Sequence, residues 1–260
     1  MTEPKTRTLD APGAVLYYDV RSAGESELPV LLIIGSPMGA DGFVTLAGHF
    51  TDRTVVTYDP RGAGRSPRTD GAFKNSVEEH ADDLDRLITA LDAGPTDVFA
   101  SSGGAVNGLA LVARHPGQVR TLVAHEPPAL SELPDREYAL AAADDIYDTY
   151  QRSGFGPAMA KFIALVGEQG PITAEYAKRP APDPAVFTAL RATATRIVIG
   201  VGEESGEAAA GRAGTEVARR LGLTPVIFPG GHDGFLGGEY GRVAKPDEFA
   251  ATLRDVLSGR

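Results

Sequence analysis

Short apolar, β-branched runs recur along this chain, and each is followed by a longer stretch whose apolar residues return every three or four positions. The runs are AVLYYDV (14–20), PVLLIIG (29–35), TVVTYDP (54–60), DVFAS (97–101), VRTLVAH (119–125), TRIVIGV (195–201) and TPVIFPG (224–230). This alternation is the pattern of parallel strands joined by crossover helices. From Val30 to Ile34 every position is apolar, so both faces of that strand need cover, and helices on both sides of a sheet supply it. One intervening segment, NSVEEHADDLDRLITALDAG, has Asn75 or Ser76 as a cap, acids in its first turns, leucines at helical spacing and a closing Gly94. The expected fold class is α/β, with a mostly parallel, doubly wound sheet.

The rhythm breaks between Pro128 and Leu190. There REYALAAADDIYDTYQ, GPAMAKFIALVGE and DPAVFTALRAT are helical in pattern and punctuated by Gly and Pro, with no strong strand signal. Lying between two core strands, this stretch reads as a helical lid over the strands' carboxyl ends, where α/β sheets bind ligands. The chain therefore divides into a core of residues 1–127 and 191–260 and a lid of residues 128–190. Tyr138, Tyr147, Tyr150, Phe155, Met159, Phe162 and Phe187 could line an apolar pocket, but at helical spacing most of them read as the lid's own core.

Composition narrows the function classes. With 260 residues the chain can bury a full core in one domain. A net charge of -10 repels phosphate backbones and anionic lipid, which argues against nucleic-acid and membrane-surface partners and leaves small neutral substrates. No cysteine is present, so disulfides, thiolate catalysis and Cys-ligated zinc are excluded. No His/Asp cluster has metal-ligand spacing, and no cofactor is expected. The opening MTEPKTRTLD lacks an apolar leader core, and apolar runs such as VLLII are far too short for a bilayer span. The expected location is cytoplasmic; a homodimer is left open.

Chemistry enters at VFASSGGAV (98–106). If DVFAS is a strand and GGAVNGLALVARHPG the helix after it, the serine pair falls on the turn between them. A nucleophile elbow needs small residues two before and two after its serine, because the tight turn brings strand, helix and neighbouring backbone close together. Ala100, Ser101, Ser102, Gly103 and Gly104 fit when centred on Ser102, whereas centring on Ser101 would put Phe99 at the first small position. Three further motifs accompany the elbow: YDPRGAGRS (58–66), IIGSPMG (33–39) and PGGHDGF (229–235). On these motifs the chain resembles the α/β-hydrolase superfamily over nearly its whole length, which implies a sheet of the α/β-hydrolase type with a helical lid insertion.

A serine hydroxyl needs a base. Of five histidines, His80 lies on a charged helix face, His49 and His115 are near helix ends, and His125 is inside a strand beside Glu126; solvated or structural roles are expected for these. His232 follows the last strand in the glycine-rich GGHDGF and is the expected base, with Asp233 belonging to loop structure. The orienting acid departs from the superfamily's commoner pattern, because Ser205 falls where an aspartate is often found. Glu126, at the tip of the preceding core strand in LVAHEPP, is the favoured substitute, with Glu204 or Glu203 as the alternative. By resemblance, the oxyanion donors are the backbone N–H groups of Gly103 and Ser36, since Pro37 has none. Asp59 and Arg61 are expected to tie loops together.

The resemblance implies a serine hydrolase acting on a small ester, lactone or related acyl substrate through an acyl-enzyme at Ser102. A cofactor-free perhydrolase of the haloperoxidase kind, a C–C bond hydrolase on the same triad and a non-catalytic ligand-binding protein on this fold are the alternatives. A dinucleotide site at GVGEESG (200–206) has the wrong glycine spacing and is filled with acids.

Overall fold

The structure, a computed structural model, describes residues 3–72, 75–167, 169–170, 172 and 185–259. Its centre is an eight-stranded sheet in the order β1-β2-β4-β3-β5-β6-β7-β8. The strands are β1 (Lys5–Ala11), β2 (Ala14–Arg21), β3 (Leu31–Ile34), β4 (Val55–Tyr58), β5 (Thr96–Ser101), β6 (Val119–His125), β7 (Arg196–Gly202) and β8 (Val226–Phe228). The β1–β2 and β2–β4 pairs are antiparallel, while β4, β3, β5, β6, β7 and β8 all run parallel. The first strand has no counterpart in the sequence pattern. Its KTRTLDA is exposed on nearly every residue, so an edge strand of this kind carries no apolar run to betray it.

The unbroken apolar character of β3 has a direct structural cause. Leu32 and Ile34 enter the core shared with α2 (Val77–Leu91), α3 (Gly103–Arg114) and α7 (Ala209–Leu221). Leu31 and Ile33 point the other way, into the core shared with α1 (Val44–His49) and α8 (Pro246–Ser258). All four residues are fully buried, and each such side chain contributes roughly 1.5–3 kcal/mol through removal from water. The sheet is thus covered on both faces. The start of α2 is held by a capping box in which Ser76 accepts from the Glu79 N–H at 3.1 Å and the Glu79 carboxylate accepts from the Ser76 N–H at 2.9 Å. The helix ends earlier than Gly94, with Asp92 in the left-handed conformation.

Between β6 and β7 the chain forms α4 (Arg136–Ser153), α5 (Phe155–Gly167) and α6 (Ala185–Ala192), preceded by a short 3-10 turn at Leu130–Glu132. Residues 168, 171 and 173–184 of this insertion lie outside the described residues. Leu133, Ala139, Ala142, Leu165 and Ile172 pack with Ala209 and Ala213 of α7. Arg212 of α7 adds a two-pronged ion pair to Asp135, at 2.9 and 3.0 Å. The last helix, α6, places Leu190 in the main core. Among the described residues no helix is long and apolar enough to cross a membrane.

Candidate active site

The site assembles where five adjacent parallel strands, β3, β5, β6, β7 and β8, end. Ser102 stands at the β5–α3 turn with φ 57° and ψ -128°, a left-handed conformation that costs a non-glycine residue on the order of 1–3 kcal/mol and needs surrounding structure to hold it. That structure is visible. The Ser102 N–H donates to the His125 carbonyl at 3.0 Å, tying the turn to β6. A Cβ on Gly104 would lie 2.7 Å from both the Gly35 Cα and the Ile34 carbonyl oxygen, and one on Gly108 would lie 3.3 Å from the Ala100 Cβ. The small residues around Ser102 therefore reflect close backbone contact. Ser101, by contrast, is 1% exposed and ends β5.

Gly103 lies against the loop after β3, where a Cβ on it would sit 2.6 Å from the Ser36 carbonyl oxygen. The two expected oxyanion donors are thus neighbours. Among the described residues, neither the Ser36 nor the Gly103 N–H has a hydrogen-bond acceptor. Ser36 is followed by a cis bond to Pro37.

Glu126 follows β6 with φ 46°, and its side chain is fully buried. Its Oε2 meets Nδ1 of His232 at 2.7 Å. Its Oε1 accepts from the Gly202 N–H at 2.7 Å and from the Ser205 hydroxyl. Burial pushes this carboxyl's pKa up, but the His232 hydrogen bond, the positive charges of His125 and His232 and the Ser205 hydroxyl outweigh it and bring the pKa down to about 2. A buried carboxylate with donors on both oxygens is the arrangement in which a charge can stay in a low-dielectric interior. Glu204 and Glu203 turn outward, with side chains 57% and 63% exposed, to Lys245 at 2.6 and 3.6 Å. Asp233 pairs with Arg242, and Asp59 accepts from the N–H groups of Ala40 and Arg65 at 2.8 and 2.9 Å, tying two loops together.

Two features eluded the sequence pattern. Ser205 reads there as an empty acidic position, yet its hydroxyl serves the carboxylate of the neighbouring strand. His80 reads as part of a solvated helix face but is 6% exposed; its spacing to Leu84, Leu87 and Ile88 is the signal that places it on the buried face of α2. His125 is fully buried among Phe99, Phe228, Phe235 and Phe249, with its ring 6.4 Å from that of His232. Burial and the charge of His232 lower its pKa to about 4 despite the opposing pull of Glu126.

Ser102 and His232 open on one cavity of about 1310 Å³. The insertion contributes Ile146, Tyr147, Tyr150, Met159, Phe162 and Ile163 to its wall. The expectation that most of the insertion's aromatic residues form internal core therefore does not hold for Tyr147, Tyr150 and Phe162, which face the cavity; the side chain of Phe155 lies outside the described residues. Among the described residues no group of three or more His, Cys, Asp or Glu is arranged to hold a metal ion.

Sheet order and the turn after the central strand define the class: this is an α/β hydrolase. The chain belongs to the alpha/beta hydrolase fold family, which residues 29–166 match. It is 31% identical over 271 aligned positions to a protein of Bacillus subtilis strain 168 described as the uncharacterized hydrolase YraK, covering 96% of this chain and 95% of that one. An esterase from Exiguobacterium antarcticum superimposes with a TM-score of 0.70 at 16% identity, covering 95% of this chain and 97% of the other. The enol-lactonase from Burkholderia xenovorans LB400 does so with a TM-score of 0.64 at 17% identity, over 97% and 100% of the two chains. These last two likenesses concern the fold.

Proposed function

We propose that this hydrolase cleaves an uncharged carboxylic ester or lactone through an acyl-enzyme at Ser102. The observation that carries the proposal is the His232–Glu126 contact at 2.7 Å in the cavity that also exposes the strained Ser102 turn. His232, its Nδ1 proton held by Glu126, takes the Ser102 proton on Nε2 as Oγ attacks the substrate carbonyl. The oxyanion that forms is met by the N–H groups of Ser36 and Gly103. Collapse expels the alcohol oxygen, which takes the proton from His232. Water, deprotonated by the same imidazole, then attacks the acyl-enzyme, and as the acyl–Oγ bond breaks His232 returns the proton to Ser102 and the acid leaves. Glu126 remains ionised throughout and stabilises the imidazolium. The insertion, residues 128–190, acts as a lid that supplies the apolar substrate wall.

The esterase and enol-lactonase that share the fold support ester and lactone as the substrate class. The test is intact-mass analysis after treatment with a fluorophosphonate probe, peptide mapping of the adduct and turnover of an ester and lactone panel. One adduct on Ser102, absent from Ser102→Ala, is expected. Label on Ser101, or label that survives Ser102→Ala, refutes the mechanism.

A further inference from the structure

The cavity reaches a polar wall that the acyl transfer above does not use. Arg61, Arg65, Arg68, Asn75 and His80 form it, from the loop after β4 and the first turns of α2. Each guanidinium there is already matched by carboxylate. Arg61 makes two 2.6 Å bonds to Asp83 and one of 2.9 Å to Glu79. Arg65 meets Asp59 at 2.6 Å and Asp19 at 3.0 Å. Arg68 meets Asp70 at 2.6 Å and Glu79 at 3.0 Å. A substrate anion arriving here would face five carboxylates and, among the described residues, no unspent cation.

His80 differs from these neighbours. It is more than nine-tenths buried, lies on the cavity wall, and neither ring nitrogen is hydrogen-bonded to a described residue. Leaving a buried polar group unpaired costs about 1–3 kcal/mol. An apolar residue in line with Leu84, Leu87 and Ile88 would not carry that cost. Burial, reinforced by Arg61 and Arg68, holds the pKa of His80 below the ordinary histidine value against the pull of Asp83 and Glu79. The ring is therefore neutral at pH 7, able to donate from one nitrogen and accept at the other.

We propose that His80 is a specificity-determining residue, hydrogen-bonding an uncharged oxygen on the acyl part of the substrate while the lid wall of Tyr147, Tyr150, Met159 and Phe162 covers its apolar part. The substrate class is then a neutral hydroxy- or oxo-acyl ester or lactone. This rests on the acyl-transfer reading above and extends it from the reacting carbonyl to a second point of recognition. A paired hydroxyl or carbonyl in a buried site is a strong discriminator, because the analogue lacking it leaves the protein group unsatisfied.

The test compares methyl hexanoate with methyl 3-hydroxy-, 4-oxo-, 5-oxo- and 6-hydroxyhexanoate, following the acid released. The wild type is expected to prefer at least one oxygenated ester by about tenfold in kcat/KM, the size of one hydrogen bond. His80→Leu should lose that preference and His80→Gln should regain part of it. The ratio is read within one preparation, so partial loss of folded protein cancels. Calorimetric binding of the same esters to Ser102→Ala, with and without His80→Leu, measures the preference without turnover. Absence of any preference in the wild type, or an unchanged preference in His80→Leu, overturns the role of His80. Binding to Ser102→Ala that shows the preference and loses it with His80→Leu, while the wild type hydrolyses none of the esters, overturns the acyl-transfer reading instead and leaves the recognition by His80 standing.

Discussion

The Oε2 oxygen of Glu126 lies 2.7 Å from Nδ1 of His232, although 106 residues separate them in the chain. Two strand ends bring them together: Glu126 leaves β6 and His232 follows β8, with β7 between. The Gly202 N–H at the end of β7 fixes the other carboxylate oxygen. Under the mechanism proposed here, Glu126→Gln should lower kcat by on the order of 10⁴ with little change in KM, because the amide can no longer hold the imidazole tautomer or stabilise its cation. Glu204→Gln should stay near wild type. Steady-state kinetics of the two variants on one ester decides the matter, and the reverse ranking would move the acid to the loop after β7.

Gly104 has no room for a side chain. A Cβ there would press on backbone atoms of Ile34 and Gly35, the latter at 2.7 Å, and backbone yields less readily than the end of a flexible side chain. Gly104→Ala is expected to destabilise the fold by about 1–3 kcal/mol and to move the Ser36 loop away from Gly103. Urea unfolding together with kcat measures both effects, and a variant as stable and as active as the wild type would contradict the close packing.

Met159 and Phe162 are half-buried on the cavity wall rather than enclosed in a core. Truncating either to Ala should change the ratio of kcat/KM between a long and a short acyl ester by about tenfold, the worth of one or two buried methylenes. The melting temperature should fall by only a few degrees. A large drop in melting temperature with an unchanged ratio would make these residues structural supports.

Acid should destabilise the protein in two stages. His125 in the folded protein has its pKa lowered from 6.5 to about 4, so between those values the unfolded chain takes up a proton that the folded one refuses. Glu126 is lowered from 4.5 to about 2, so its stabilisation is present above pH 4.5 and is lost as the pH falls towards 2. Each contributes on the order of 3 kcal/mol to the loss. His125→Phe fits the surrounding aromatic cluster and should remove the first stage and, with the His125 charge gone from beside Glu126, shrink the second without abolishing it. Denaturant unfolding of both proteins at pH 7.5, 5 and 3 tests this; parallel curves would exclude His125 as the source.

Local rules carried much of the fold. Seven of the eight strands and two of the helices flanking them, α2 and α3, are legible from periodicity, because a strand buried on both faces must be apolar at successive residues and a covering helix must be apolar on one side. The turn at Ser102 is legible for a similar reason, since only small residues permit strand, helix and the Ile34–Gly35 backbone to meet so closely. Residue pattern nominates both Glu126 and Glu204 as carboxylates near His232 and favours Glu126 without fixing the choice. The tertiary structure makes that choice: adjacency of β6 and β7 turns Glu126 inward to His232, Gly202 and Ser205, while Glu204 meets Lys245 at the surface. The solvent-facing β1 and the buried His80 were hidden for opposite reasons: one strand lacks apolar residues because the edge it occupies is wet, and one histidine shares a charged stretch yet lands on the buried side of its helix. Periodicity is a property of neighbouring residues, whereas the partner of a side chain is decided by which strand ends the fold sets side by side.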